Sequence, residues 1–148
     1  MTASNERLPD VVPMLAYEDT ARAMAWLAEA FGFRERFRMP GPDNRVSQAA
    51  MHAGRGVVMM ADVGHGYQAP RHHAECCDIA RGWLSSPNVI DGVLVHIDGD
   101  LDAHHQQAKR VGAEILSPPE DGPPGRLYRA ADCEGHRWMF LATTHRPA

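Results

Sequence analysis

The sequence predicts an α+β fold in which one unit, a strand, a helix and three further strands, occurs twice. Three observations predict it: apolar runs of strand length, two amphipathic helical segments that each stop at a glycine, and one offset that superposes the halves. A shift of 80 residues (112 − 32) lays Gly32 on Gly112, Tyr17 on Ile97, Phe33 on Ala113 and Met59 on Met139. Chance likeness of two short helices would not hold that register through strand and hairpin as well.

In the first unit, residues 11–17 (VVPMLAY) are apolar and flanked by Pro9-Asp10 and Glu18-Asp19, as a buried strand should be. Pro13 assigns that strand to an edge or an irregular spot, because it cannot donate to a ladder. Asp19 or Thr20 can cap the helix that follows, with Met24, Leu27, Ala28 and Phe31 on one inward stripe. Gly32 suits the left-handed stop of that helix. A strand over 33–39, a turn at PGPDN, and a hairpin of 45–53 with 57–61 around AGRG complete the unit.

The second unit repeats the plan. Residues 92–97 form its strand and 101–111 its helix, with Leu101, Ala108 and Val111 inward and Gly112 as the stop. Residues 113–117 return as a strand, SPPEDGPPG forms the turn, and 126–131 with 136–142 form the closing hairpin. Between the units, VGHGYQAP reads as a loop and HAECCDIARGWL as a surface helix closed by Ser85, Ser86 and Pro87. A connection of that length is either a plain linker or the wall of a pocket. Residues 1–148 are expected to form one domain: unit one about 10–62, crossover 63–90, unit two about 91–143.

Composition narrows the function classes. A net charge of −4 over 148 residues leaves no basic footprint for nucleic acid. The polar opening MTASNERLPD carries no apolar signal core, and no run approaches the roughly 18 apolar residues of a membrane span, so a cytoplasmic protein is expected. Cys76, Cys77 and Cys133 are odd in number, which argues for reduced thiols.

AFGFRE and VGAEIL after the two helices, PPED before the last hairpin and D-x-E-G-H-R-W within it resemble the vicinal oxygen chelate superfamily, specifically its glyoxalase/bleomycin resistance protein-like branch. The resemblance spans about residues 10–142, and Cys133 replaces a proline common after the aspartate. It implies two tandem βαβββ modules whose strands curl as a mixed sheet around a funnel, usually completed by a homodimer. The enzymes of that superfamily hold a divalent metal through His, Glu or Gln on the first and last strand of each module. Projected onto this chain, those places fall at Val12, Met59, Gly92 (or Val93) and Met139. Valine and glycine offer no side-chain donor, and a thioether is a soft, weak one, so no metal and no cofactor are assigned.

Without a metal, the funnel is expected to take a small-molecule ligand. Strand alternation puts Val12, Met14 and Ala16 on its side of the first strand, Leu94 and His96 on the matching strand, and Met59, Ala61, Arg137 and Met139 on the hairpins. Methionine suits varied apolar ligands, and His96 or Arg137 could orient a polar or anionic end. Core packing is the plain reading of the apolar positions. His72 with Cys76 and His73 with Cys77 have a spacing compatible with zinc but no further ligands nearby. Exposure accounts for His104 and His105, and a structural hydrogen bond for His136. Acidic neighbours are expected to blunt Cys133. No nucleophile elbow, phosphate loop or catalytic residue is identified. Two readings stay open: a metal-free homodimer that binds or sequesters a hydrophobic or amphipathic molecule, and a lyase or dioxygenase with unusual ligands such as His52, His96 or the 72–77 segment.

Overall fold

A computed structural model describes residues 7–64, 66–86 and 92–143; the expected stop at Pro87 lies outside the described residues. The chain runs β1 (Met14–Tyr17), α1 (Thr20–Phe31), β2 (Arg34–Pro40), β3 (Val46–Ala53) and β4 (Gly56–Asp62). The crossover carries α2 (Pro70–Cys76) and α3 (Asp78–Leu84). Then follow β5 (Gly92–His96), α4 (Leu101–Val111), β6 (Glu114–Gly122), β7 (Gly125–Ala131) and β8 (Arg137–Ala142). Two four-stranded sheets result, ordered β1-β4-β3-β2 and β5-β8-β7-β6, each with one parallel pair at the edge. These are the two βαβββ modules expected. Each module contributes its own mixed sheet, and among the described residues no strand of one sheet pairs with a strand of the other.

The duplication survives down to single register pairs. Met14 pairs with Met59 in the first sheet and Leu94 with Met139 in the second, the same offset of 80 for both partners. Gly32 and Gly112 both end their helices in the left-handed conformation, at φ 74 and 110. Asp19 and Asp100 cap the helix starts, each accepting a backbone N–H three residues on.

The core lies where the inner sheet faces meet α1 and α4. Phe31 and Phe33 of the first module pack edge-on against Phe140 and Trp138 of the second, with ring centroids 4.7 Å and 5.1 Å apart. Ala23, Met24, Leu27 and Ala30 join them from α1. Ala28, expected inward, is exposed, because the helix turns its Ala23-Leu27-Ala30 stripe to the core instead.

Four expectations are corrected by their surroundings. First, β6 continues through Pro118 and Pro119, which were expected in a turn, with register shifts after Ile115 and after Ser117. As an edge strand β6 has one side without a ladder, so residues lacking an N–H are tolerated. Second, β1 starts only at Met14; Pro13 still accepts from Met59 N at 2.9 Å, and the strand is at the sheet edge. Third, the crossover helix is two helices, broken at an extended Cys77 (φ −142). The Arg81 guanidinium takes the Ala74 and Glu75 carbonyls that a continuing helix would have used. Fourth, His104 and His105 are not explained by exposure: His105 is buried and His104 half-buried.

His104 sits where the helices of the two modules meet. Its Nε2 lies 2.9 Å from Phe31 O and its Nδ1 2.6 Å from Tyr128 Oη. A carbonyl can only accept, so Nε2 donates and the neutral ring accepts the tyrosine proton at Nδ1. Burial holds the His104 pKa below its ordinary 6.5, partly opposed by the Phe31 carbonyl. As the pH falls below 6.5 the unfolded chain takes up a proton that the folded chain resists, so stability is intact above that pH and declines below it. Urea unfolding at pH 7.5 and 5.5 is expected to show a larger loss for the wild type than for His104→Gln. Equal losses would rule out this residue as the origin.

Candidate functional site

Each sheet has a second face, turned away from the core, and the register specifies what stands on it. On the first sheet Met14, Met59, Ala50 and Phe37 form one row across four strands, with Ala16, Ala61, Gln48 and Met39 as the next. On the second sheet Leu94, Met139, Arg129 and Ser117 form the equivalent row, with Gly92, Arg137 and Ala131 on one side and His96, Leu141 and Leu127 on the other. Met14 is 75% exposed and Leu94 49%, well above what a buried strand leaves open. Val12 precedes β1 and is half-buried. The structure therefore brings Met14 together with Met59, and Leu94 together with Met139, but on different sheets.

The resemblance places metal positions at Val12, Met59, Gly92 (or Val93) and Met139. Because Leu94 occupies in β5 the place that Met14 occupies in β1, Gly92 is the counterpart of Val12, and Val93 packs against the core instead. Val12, Met59, Gly92 and Met139 present no nitrogen or oxygen side-chain donor, so these residues do not fit a divalent cation. Among the described residues no three His, Cys, Asp or Glu side chains come together in a group able to hold a metal ion. His52 in β3 and His96 in β5 belong to different sheets. Cys77 stands outside α2, so His73 and Cys77 do not share a helix face.

Arg137 has a different occupation from the one its position suggested. It is buried, and its guanidinium donates to Leu84 O at 2.6 Å and to Ser86 O, which anchors the end of α3 over the outer face of β8. Burial pushes its pKa below the ordinary value. His96 is exposed and opens onto a notch of about 390 Å³ between the modules, lined by Ala53, Arg55, Gly56, Leu94 and Asp98. The turn at Gly54 approaches so closely there that a Cβ would lie 2.7 Å from His96 O, and Arg55 pairs with Asp98 at 3.0 Å.

The rim between α2 and the first module is polar and internally satisfied. Glu134 accepts from Glu18 N at 2.6 Å and Asp19 N at 3.0 Å, while the Glu18 carboxylate accepts from Ala69 N at 3.2 Å and meets His72 Nδ1 at 2.9 Å. The Glu18 contact raises the His72 pKa, and burial raises that of Glu134. Cys133 beside them has its thiol pushed up to about 12, first by burial and then by Asp132 and Glu134, so it is a poor nucleophile. His136 hydrogen-bonds Ala16 O at 2.6 Å, the structural use expected of it. Arg129 is the residue that sequence reading passed over. The alternation Leu127-Arg129-Ala131 was the available signal, but it assigns a face only once the pairing of β7 with β8 is known.

Comparison with known proteins agrees with this architecture. A 30% identical, uncharacterized protein of Mycobacterium bovis, Mb0911c, aligns over 136 residues, 89% of this chain and 82% of that one. Among solved structures, TioX from a Micromonospora species is 31% identical, covers 95% of this chain and 100% of its own, and superposes with a TM-score of 0.66. TnmS3, an antibiotic binding protein from a Streptomyces species, shares the fold at 17% identity, with 94% and 100% coverage and a TM-score of 0.57. The family model for the Glyoxalase/Bleomycin resistance protein/Dioxygenase superfamily matches residues 10–140, from before β1 into β8, and the chain belongs to that superfamily.

Proposed function

We propose that this protein binds a small hydrophobic or amphipathic molecule on its outer sheet faces without a resident metal, as a cytoplasmic homodimer that sequesters its ligand. The observation that carries this reading is the chemistry of Val12, Met59, Gly92 and Met139, which leaves an apolar surface where metal-dependent relatives need donors. The homodimer is what the family resemblance implies, and it is supported by Met14, 75% exposed, which is apolar surface of the kind a second copy covers. TnmS3 shows that this fold can serve in an antibiotic binding protein. No helix among the described residues is long and apolar enough to cross a membrane.

Two measurements test the reading. The uncharged dye N-phenyl-1-naphthylamine is expected to bind the folded protein, and Met59→Glu or Met139→Glu to weaken that binding about tenfold, as charge placed on an apolar contact should. Addition of Ni, Zn or Mn is expected to leave the melting temperature unchanged. A stoichiometric divalent ion that copurifies and is lost in His52→Ala or His96→Ala would overturn it in favour of a metal-dependent enzyme.

A further inference from the structure

We infer that Arg129 is the anchor for an anionic group on the ligand, so that the molecule held by the second sheet is an amphipathic organic anion. This rests on the ligand-binding reading above and goes beyond it by assigning the charge and the residue that meets it.

Arg129 stands among apolar side chains on a face that also carries Arg137 and His96 in the flanking rows. Met139 is its register partner on β8, Leu94 lies beyond Met139 on β5, and Leu127 and Ala131 flank it on the same side of β7. Arg129 is half-buried, and its guanidinium makes one hydrogen bond among the described residues, from Nη1 to Ser117 Oγ at a long 3.4 Å. No carboxylate pairs with it there. Four arginines elsewhere are engaged: Arg126 by Asp102 and Asp121, Arg45 by Asp62, Arg81 by Asp78, and Arg137 by two carbonyls. The acidic positions of β6 do not neutralise it, since Glu114 leans to Arg71 at 3.9 Å and Glu120 is an exposed neighbour of Leu127.

A guanidinium presents five donors in a rigid plane, and desolvating them without acceptors is costly. With one weak partner supplied by the protein, the remaining donors form a fork suited to two oxygens of a carboxylate or sulfonate. Leu94 and Met139, running away from it along one row, offer the contact for an apolar body several ångströms long. Charge and shape together specify the occupant: an anionic head on Arg129 and a flat or aliphatic body over Met139 and Leu94.

The test uses two dyes that differ mainly by one sulfonate, 8-anilino-1-naphthalenesulfonate and uncharged N-phenyl-1-naphthylamine. The wild type should prefer the sulfonate. Arg129→Gln should lose about tenfold or more in sulfonate affinity while leaving the uncharged dye within about twofold, and Arg129→Lys should recover part of the loss. Far-UV circular dichroism and a cooperative melt confirm that each variant is folded, and exposed Arg110→Gln serves as the control. If the uncharged dye binds but Arg129→Gln leaves sulfonate affinity unchanged, the anchor is wrong and the apolar site stands. If neither dye binds the wild type, the ligand-binding reading fails and the anchor with it.

Discussion

Asp132→Ala is expected to lower the free energy of unfolding by about 4 kcal/mol, a large share of the roughly 5–15 kcal/mol that keeps an ordinary domain folded. The Asp132 carboxyl is fully buried and accepts four hydrogen bonds. Tyr17 Oη donates to Oδ2 at 2.6 Å and Trp138 Nε1 at 3.0 Å; the backbone N–H groups of Glu134 and His136 donate to Oδ1, each at 3.0 Å. One side chain thus joins the last residue of β1 to the final hairpin of the other module. Alanine would leave those donors buried without an acceptor, each at a cost of about 1–3 kcal/mol before relaxation. Burial, with the nearby Asp132 carboxyl second, also keeps the Tyr17 phenol well above its ordinary pKa, so Tyr17 remains a donor throughout the working range. Urea titration should place Asp132→Ala far below the wild type. Asp121→Ala, which removes an exposed carboxylate, one of two around Arg126, should stay within about 0.5 kcal/mol. Similar midpoints for the two variants would mean that the buried network does not hold the modules together.

Gly125→Ala is expected to cost about 3 kcal/mol, through backbone conformation and space together. Gly125 has φ +139, which side-chain-bearing residues rarely adopt, and a Cβ there would lie 2.3 Å from Ala142 O and 3.0 Å from Thr143 Cα. Both obstacles are backbone, so relief requires moving β8 against β7. Gly122 lies across the same turn with an ordinary φ, and a Cβ there would meet nothing nearer than 3.7 Å. Gly122→Ala should therefore change stability by less than about 0.5 kcal/mol. Thermal melts of the pair separate the two glycines, and an equally mild effect at both would show that β8 can yield.

Much of the fold was legible because its signals are local. Helix stops at Gly32 and Gly112 and the cap at Asp19 each depend on residues within a few positions of one another and stand where they were read, and the offset of 80 holds because both units carry the same local signals. The misreadings occur where a distant partner decides. Pro118 and Pro119 look like a turn until an edge position with no outer ladder lets a strand carry them. The single crossover helix fails because Arg81 satisfies carbonyls that the helix would have satisfied itself. His104 reads as a surface residue of a polar helix until Phe31 O and Tyr128 Oη converge on its ring from other elements.

The site divides along the same line. By itself the sequence determined the family, the repeated unit and the absence of ligand chemistry at Val12, Met59, Gly92 and Met139, since residue identity alone says whether a side chain can donate to a metal. Only the tertiary structure decided that Met14-Met59 and Leu94-Met139 lie on separate sheets, that Arg137 is occupied by α3, and that Arg129 stands on the face of Met139. The physical reason is that a strand's alternation orders its side chains into two sets without saying which set faces the core. That choice is made by pairing register and by what packs against each face, both of which come from residues far away in the chain.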